Sequence, residues 1–428
     1  MKEIAEQYRI PEDILTYTKA MVERPSWYDA RTGQTEVKMH DYIEGVLRAH
    51  GHEPTVLLVP GGVNRRVTVA LRGDRSAPAR YFLGHTDTYH PRHGDPDGTP
   101  EDMCRFRVNE VRRRLEGVGV GDMKLGDAQI LHAFLHADVP EGMQLGAVWV
   151  PDEELNSLGM MAFIRAVKAG ILPYPSLGIF STEIPTNFFN LRKGQVAVVS
   201  GRPGHVKYRG EVRTPSSHGS KDTVNAHGVY VDLYRLFRKK LTAESRQDMP
   251  PEALKVWGVQ YGCVSAASDI MTNVPGCEFV WGHMSSRFSI PESEVLFERW
   301  RMEAVKMLRS RHARRERGGM KDATIEVQLE RIPQDQATSY DPYFIDPVEH
   351  PDCLAQKVAC ILDEHLGKVA GVVGRGKSTS DANLARAAGF DVAESSARVN
   401  AYHNPRENVM LESIAPINHL LMRLAQES

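Results

Sequence analysis

Five short stretches of the chain place histidines and carboxylates where apolar runs end. His85 and Asp87 stand in Leu83-Gly84-His85-Thr86-Asp87. A neutral imidazole is a good zinc ligand, and a carboxylate two residues on can hold its other ring nitrogen. Asp122 lies between the turn Gly119-Val120-Gly121 and a helix, where an aspartate by itself would serve as an N-cap. Asp152, Glu153 and Glu154 crowd three carboxylates at the end of a buried strand, which costs energy unless a cation neutralises them. Glu183, in Ser181-Thr182-Glu183-Ile184, and His403, in Tyr402-His403-Asn404-Pro405-Arg406-Glu407, complete the series. Singly, each reads as a solvated carboxylate or an exposed imidazole, and their joint order carries the case. Two histidines with several carboxylates suit zinc or a similar divalent ion, and a carboxylate bridging two metals is a common hydrolytic design.

Strands must bring these groups together. Apolar runs at Val56–Val59, Arg66–Leu71, Arg80–Gly84, Gln144–Val150, Ser176–Phe180 and Gln195–Val199 predict strands. Helical spacing predicts helices at Ile14–Val22, Thr35–Ala49, Leu125–His136 and Gly159–Ala169. Strands alternating with helices imply an α/β layer around a mixed, mostly parallel sheet, whose carboxyl ends form the ligand crevice. From residue 201 the pattern changes. Strands at Val206–Arg213, Val256–Ala266, Glu278–Ile290 and Thr324–Leu329, with helices at Ala226–Lys240 and Glu292–Arg311, give the order β-α-β-β-α-β of a ferredoxin-like (α+β) unit. The α/β style then resumes, with helices at Pro351–His365, Asp381–Ala388 and from Glu412, and a strand near Val369–Val373. The expected organisation is a discontinuous catalytic domain, 1–200 and 333–428, with an inserted domain at 201–332.

With 428 residues, two or three domains are expected. The 41% hydrophobic and 25% charged fractions exclude bulk disorder. Lys plus Arg number 53 against 55 Asp plus Glu, a balance that argues against non-specific nucleic-acid or anionic-membrane binding. Five cysteines without a CxxC read as free thiols. No apolar leader and no membrane-length run stand in the sequence, and a cytoplasmic location is expected.

The segments LGHTDT, GVGVGDMKLGDA, VPDEELNSLG, STEIPTN, MTNVPGCEFVWGHMSSRFS, STSDANLARAAG and VNAYHNPRENV resemble, in order, the di-zinc aminoacylase and carboxypeptidase family. That family includes carboxypeptidase G, acetylornithine deacetylase, succinyl-diaminopimelate desuccinylase and aminoacylase. The resemblance implies that Asp122 bridges two metals, that His85 and Glu183 complete one site, and that Glu154 and His403 complete the other. It implies Asp87 as the orienting partner of His85. Glu153 becomes the base that takes a proton from metal-activated water and returns it to the leaving nitrogen. The inserted domain would be a lid that mediates homodimerisation. Its Asn273 and Arg287 would hold the substrate carboxylate and reacting carbonyl, a task suited to the planar Arg fork. His218, or His205 in its place, would reach into the partner's site, and Gly376 would line the substrate pocket. The cofactor would be one or two divalent ions, zinc with manganese or cobalt as alternatives.

The loop Tyr89-His90-Pro91-Arg92-His93 departs from the family pattern, as does Gly119-Val120-Gly121 where Gly-Arg-Gly is usual. The implied substrate is therefore any small carboxylate-bearing C–N compound: an N-acyl amino acid, a dipeptide or an amino-substituted aromatic acid. A rival reading is a phosphate-binding loop, since Gly371–Ser378 formally matches GxxxxGK[ST]. A metal-binding but inactive scaffold is a third reading, opposed by the presence of Glu153. The basic run Arg309–Arg317 reads as a solvated helix end.

Overall fold

Four strands, Ala79–His85, Gln144–Val150, Ile179–Ser181 and Val392–Glu394, are buried along their whole length, as strands covered on both faces must be. In the computed structural model, which describes residues 1–29, 33, 35–59, 65–89, 104–184, 195–214, 226–247, 260–265, 276–285, 288–315, 325–333, 338–367, 371–376 and 378–427, these four pair in parallel. Their order is Gln144–Val150, Ala79–His85, Ile179–Ser181, Val392–Glu394. Arg66–Gly73 and then Thr55–Leu58 extend the sheet antiparallel on one side, and Val196–Arg202 on the other. Gly371–Arg375 runs parallel to Val196–Arg202 within this nine-stranded sheet.

Because the central strands are parallel, their carboxyl ends share one edge. The register sets His85 opposite Val150, Leu83 opposite Ser181, and Ser181 opposite Glu394. Everything that follows those strand ends is delivered to one place, where open α/β sheets hold their ligands.

Helix Leu125–His136 is apolar nearly all round and buried from Leu125 to Phe134, as a helix enclosed on every side should be. It packs between Glu12–Val22 and Ile414–Leu424, and its start fixes the turn that carries Asp122. A second, four-stranded sheet runs Val399–Asn400, Asn408–Met410, Arg114–Glu116, Arg107–Asn109. It ties the segment around His403 to the chain just before Asp122. Two- and three-residue strands carry too little alternation to be read from sequence, so this sheet was not expected.

The chain divides into two units, Met1–Arg202 with Phe344–Ser428, and Pro203–Tyr343. The sequence placed the return at 333. Residues 338–343 instead belong to the second unit, because Tyr340 and His205 exchange backbone hydrogen bonds of 2.7 and 2.8 Å. Within that unit the strands run Gln260–Ser265, Gly276–Ser285, Gly204–Arg213, Glu326–Arg331, all antiparallel. Helices Ala226–Gln247 and Ile290–Arg315 supply Phe237, Phe297 and Trp300 to a core shared with Tyr208, Phe279 and Trp281. Arg309 is less free than the solvated run suggested, since its guanidinium donates to the Ile325 carbonyl at 2.8 Å.

The phosphate-loop reading is overturned here. Gly371–Arg375 is a strand paired with Val196–Arg202, and the following helix starts at Asp381. A strand cannot curl its amides around a phosphate, and the helix N-terminus that would face one is displaced from the GK[ST] position.

Candidate metal centre

His85 is the last residue of its strand and is buried. Its Nε2 lies 3.0 Å from Asp122 Oδ1 and 3.3 Å from Glu183 Oε2. Its Nδ1 is 2.9 Å from the Asp87 carbonyl oxygen and 3.6 Å from Asp87 Oδ1. Asp87 does more than orient this ring: its two carboxylate oxygens accept the backbone amides of Glu153 and Glu154, at 3.1 Å each. One side chain thus fixes the imidazole and the main chain of the paired glutamates.

The other oxygen of Asp122 faces His403. His403 Nε2 is 3.1 Å from Asp122 Oδ2 and 3.0 Å from Glu154 Oε2. Two three-residue groups therefore converge, His85–Asp122–Glu183 and Asp122–Glu154–His403, with Asp122 common to both. Nitrogen and oxygen donors in this number suit zinc, manganese or cobalt.

The electrostatics favour a cation. Burial and the Glu183 charge push the Glu153 carboxyl well above the usual carboxylate range. Burial and the Asp122 charge move Glu154 up to about 7. Burial opposes a charge on His85, but hydrogen bonds to Asp122, Asp87 and Glu183 outweigh it and raise the imidazole. His403 moves up for the same reason, through Asp122 and Glu154. Asp122 is held low, because His403 and His85 overcome its burial. Asp381 lies buried on the same small cavity as Glu153, His85 and Glu183. Its burial raises it to about 7. Carboxylates gathered out of water at this density fit one or more divalent ions, which relieve the repulsion that protons otherwise relieve.

Several supporting residues carry no sequence signal of their own. Glu407 is wholly buried and accepts the amides of Gly119, Gly121 and Asp122 at 3.0, 2.6 and 2.9 Å. Burial and the Asp122 charge push it to about 8. Gly119 permits this cradle with a φ of 72°, a left-handed conformation that glycine adopts without penalty. Asp152 holds the turn before the glutamate pair at φ 74°, and its Oδ1 pairs with Arg65 at 2.8 Å. Arg65 also donates to Glu36 at 2.8 Å. Beneath Glu183, Arg202 forms a fully buried pair with Glu394 at 2.6 Å and donates to the Ile184 carbonyl at 3.1 Å. Ser380, the N-cap of helix Asp381–Ala387, donates to Glu394 at 2.7 Å. A spacing rule could have found that cap, since Ser380 and Asn383 form a capping box.

Gly376 donates its amide to the Gly201 carbonyl at 2.7 Å and sits against Arg202. His218, Asn273 and Arg287 lie outside the described residues, as do His90 and His93.

An α/β sheet with two ligand groups sharing one aspartate at its carboxyl edge is the arrangement of a hydrolytic metal enzyme. The chain belongs to peptidase family M20/M25/M40, whose model matches residues 81–427, and it is a hydrolase acting on C–N bonds. No curated protein matches the chain. Among solved structures it is similar to the dipeptidase Dug1p from Saccharomyces cerevisiae, at 12% identity and a TM-score of 0.68, covering 99% of this chain and 97% of that one. It is also similar to a tripeptidase from Staphylococcus aureus, at 13% identity and a TM-score of 0.66, with 97% of each chain covered. A third is a dinuclear metal-binding peptidase of the same family from Bacillus subtilis, at 13% identity and a TM-score of 0.59, covering 99% and 98%. No helix among the described residues is long and apolar enough to cross a membrane.

Proposed function

We propose that this hydrolase cleaves an amide-type C–N bond in a small substrate bearing a carboxylate, using a divalent metal pair and Glu153 as the base. The observation that supports it most is the position of Glu153. It lines the cavity with His85 and Glu183, contributes no atom to either ligand group, and has its backbone held by Asp87.

His85, Asp122 and Glu183 would hold one ion, and Asp122, Glu154 and His403 the other. When bound, such ions lower the pKa of water toward 7 and polarise a carbonyl. Glu153 accepts the proton of the attacking water. Its burial, which favours the protonated carboxyl, lets it keep that proton until the leaving nitrogen takes it. Asp87 keeps the His85 ring and the Glu153 backbone in one fixed relation. Asn273 and Arg287 would bind the substrate's carbonyl and carboxylate, and His218 would enter from a second copy of the chain docked through the inserted unit.

Aminohydrolysis of an amino-substituted aromatic acid is the second reading, favoured by Tyr89. Its ring stacks on His403 with centroids 5.3 Å apart, which sets an aromatic side chain beside the centre, the kind of neighbour an aromatic substrate would pack against.

The test is protein reconstituted with zinc, manganese or cobalt and assayed on N-acyl amino acids, dipeptides and amino-substituted aromatic acids. Turnover of one class is expected, with Glu153→Gln slowing it about 10²–10⁴-fold at unchanged metal content. No hydrolysis in any class with any metal, or a fully active Glu153→Gln, would overturn the assignment.

A further inference from the structure

Helix Leu125–His136 carries a second set of ligand-type side chains at its far end. His132 and His136 are four residues apart, so both rings project from one face of the helix. Facing them is Asp13, in the first turn of helix Glu12–Val22. Asp13 Oδ1 is occupied by the Ile14 amide at 2.9 Å. Its Oδ2 is presented outward, where it meets His132 Nδ1 at 2.7 Å and His136 Nε2 at 3.1 Å. A single carboxylate oxygen is thus the meeting point of two imidazole nitrogens.

We propose that Asp13, His132 and His136 form an additional divalent transition-metal site, separate from the catalytic centre. Metal bonds of about 2.0–2.2 Å at a tetrahedral angle separate two donor atoms by about 3.3 Å. The observed 2.7 Å to His132 and 3.1 Å to His136 need open by only tenths of an ångström, which small movements of the partly exposed Asp13 carboxylate and of the half-exposed His136 ring accommodate. Two imidazoles and one carboxylate leave a fourth position open to water, and this donor set suits zinc, nickel or copper over calcium or magnesium. The twelve-residue helix places the cluster about 15 Å along its axis from the Asp122 turn, too far to share an ion with it. The site joins two helices from different parts of the chain, so an ion there would cross-link helix Glu12–Val22 to helix Leu125–His136. The inference is independent of the hydrolytic reading.

The test is zinc content per chain after chelation, reloading with zinc and gel filtration, in wild type, His136→Ala, His136→Gln and His403→Ala. His136 is exposed, so its variants fold, as circular dichroism will verify. Both His136 variants are expected to lose one zinc per chain, and that zinc remains in His403→Ala. In thermal unfolding, His136→Ala should remove part of the zinc-induced rise, and should remove a similar part when it is added to His403→Ala. Equal zinc content in wild type and the His136 variants would overturn the proposal. So would a lost zinc that is already missing in His403→Ala, because the ion would then belong to the catalytic centre.

Discussion

Glu407 Oε1 accepts the backbone amide of Asp122 at 2.9 Å, so the aspartate shared by both ligand groups is positioned by a carboxylate 285 residues away. The same side chain takes the amides of Gly119 and Gly121. Three N–H donors converging on one buried carboxyl fix the turn before any ion arrives.

Glu407→Gln keeps the shape but turns an NH₂ group toward at least one of those amides. Metal affinity is expected to fall about 10–100-fold, the usual cost of losing an outer orienting partner. Titration of the chelated protein with zinc reads this directly. Activity should recover at excess metal, because no donor atom has been removed. Unaltered affinity would show that the cradle is not what places Asp122.

A second expectation concerns Arg202 and Glu394. Both side chains are fully buried, and the guanidinium also donates to the Ile184 carbonyl, next to Glu183. Glu394→Leu leaves a buried charge without its partner, at a cost of about 3–5 kcal/mol. Replacing both, as Arg202→Met with Glu394→Leu, should recover much of that stability. Urea unfolding of the single and double variants decides it: equal destabilisation by both would mean that packing, not charge, is at stake.

His40 gives the fold a pH dependence. It is completely buried, with Nδ1 2.8 Å from the Thr68 hydroxyl and Nε2 3.0 Å from that of Thr86. Thr68 donates to Glu44 at 3.0 Å, so its oxygen accepts the Nδ1 proton, and Nε2 stays an acceptor. Burial and then the Arg66 charge push this imidazole down to about 3. In the unfolded chain it titrates near 6.5, and below that pH only the unfolded state binds the proton. Stability from this residue is therefore complete above pH 6.5 and declines as pH falls toward 3, by at most about 1.4 kcal/mol per pH unit. His40→Gln should be less stable than wild type at pH 7.5, and the gap should narrow by pH 5. A gap independent of pH would refute the buried neutral state.

The central fold was legible because its signals are periodic. Leu125–His136 and Gln144–Val150 are found with the expected bounds, since an apolar helix and an apolar strand show themselves over a dozen and seven residues. Helix Ile290–Arg315 starts where a strand through Ile290 was expected, because Ser289 and Glu292 cap it and override an apolar stretch that fits both periods. The ligand-type residues were legible as residues at strand ends, and the sheet explains why strand ends matter. Glu407, Arg202 and Glu394 were not, since a buried charge is recognisable only from partners that are distant in sequence. Glu394 reads as the start of a short polar stretch, Glu394-Ser395-Ser396, until Arg202, 192 residues away, is placed against it.

Metal removal should unload the carboxyl edge of the sheet. Without a cation, Asp122, Glu154 and Glu183 are offset, among the described residues, by protons on His85 and His403, and Glu154 is itself driven toward protonation. An ion bound by the folded chain alone stabilises it by about 2.7 kcal/mol when free metal is 100 times its dissociation constant. For a unit of this size that corresponds to a melting shift of about 4–5 °C. Chelation should lower the midpoint by that amount and added zinc should restore it. Because Asp13, His132 and His136 offer a second place for zinc, the comparison belongs in a His136→Ala background. There the zinc-dependent shift should remain in an otherwise unchanged chain and shrink with His403→Ala, whose ring reaches both Asp122 and Glu154, while His85, Asp122 and Glu183 keep the other ligand group. A melting point indifferent to chelator in that background would mean that the carboxylates at the sheet edge are compensated by something other than a metal.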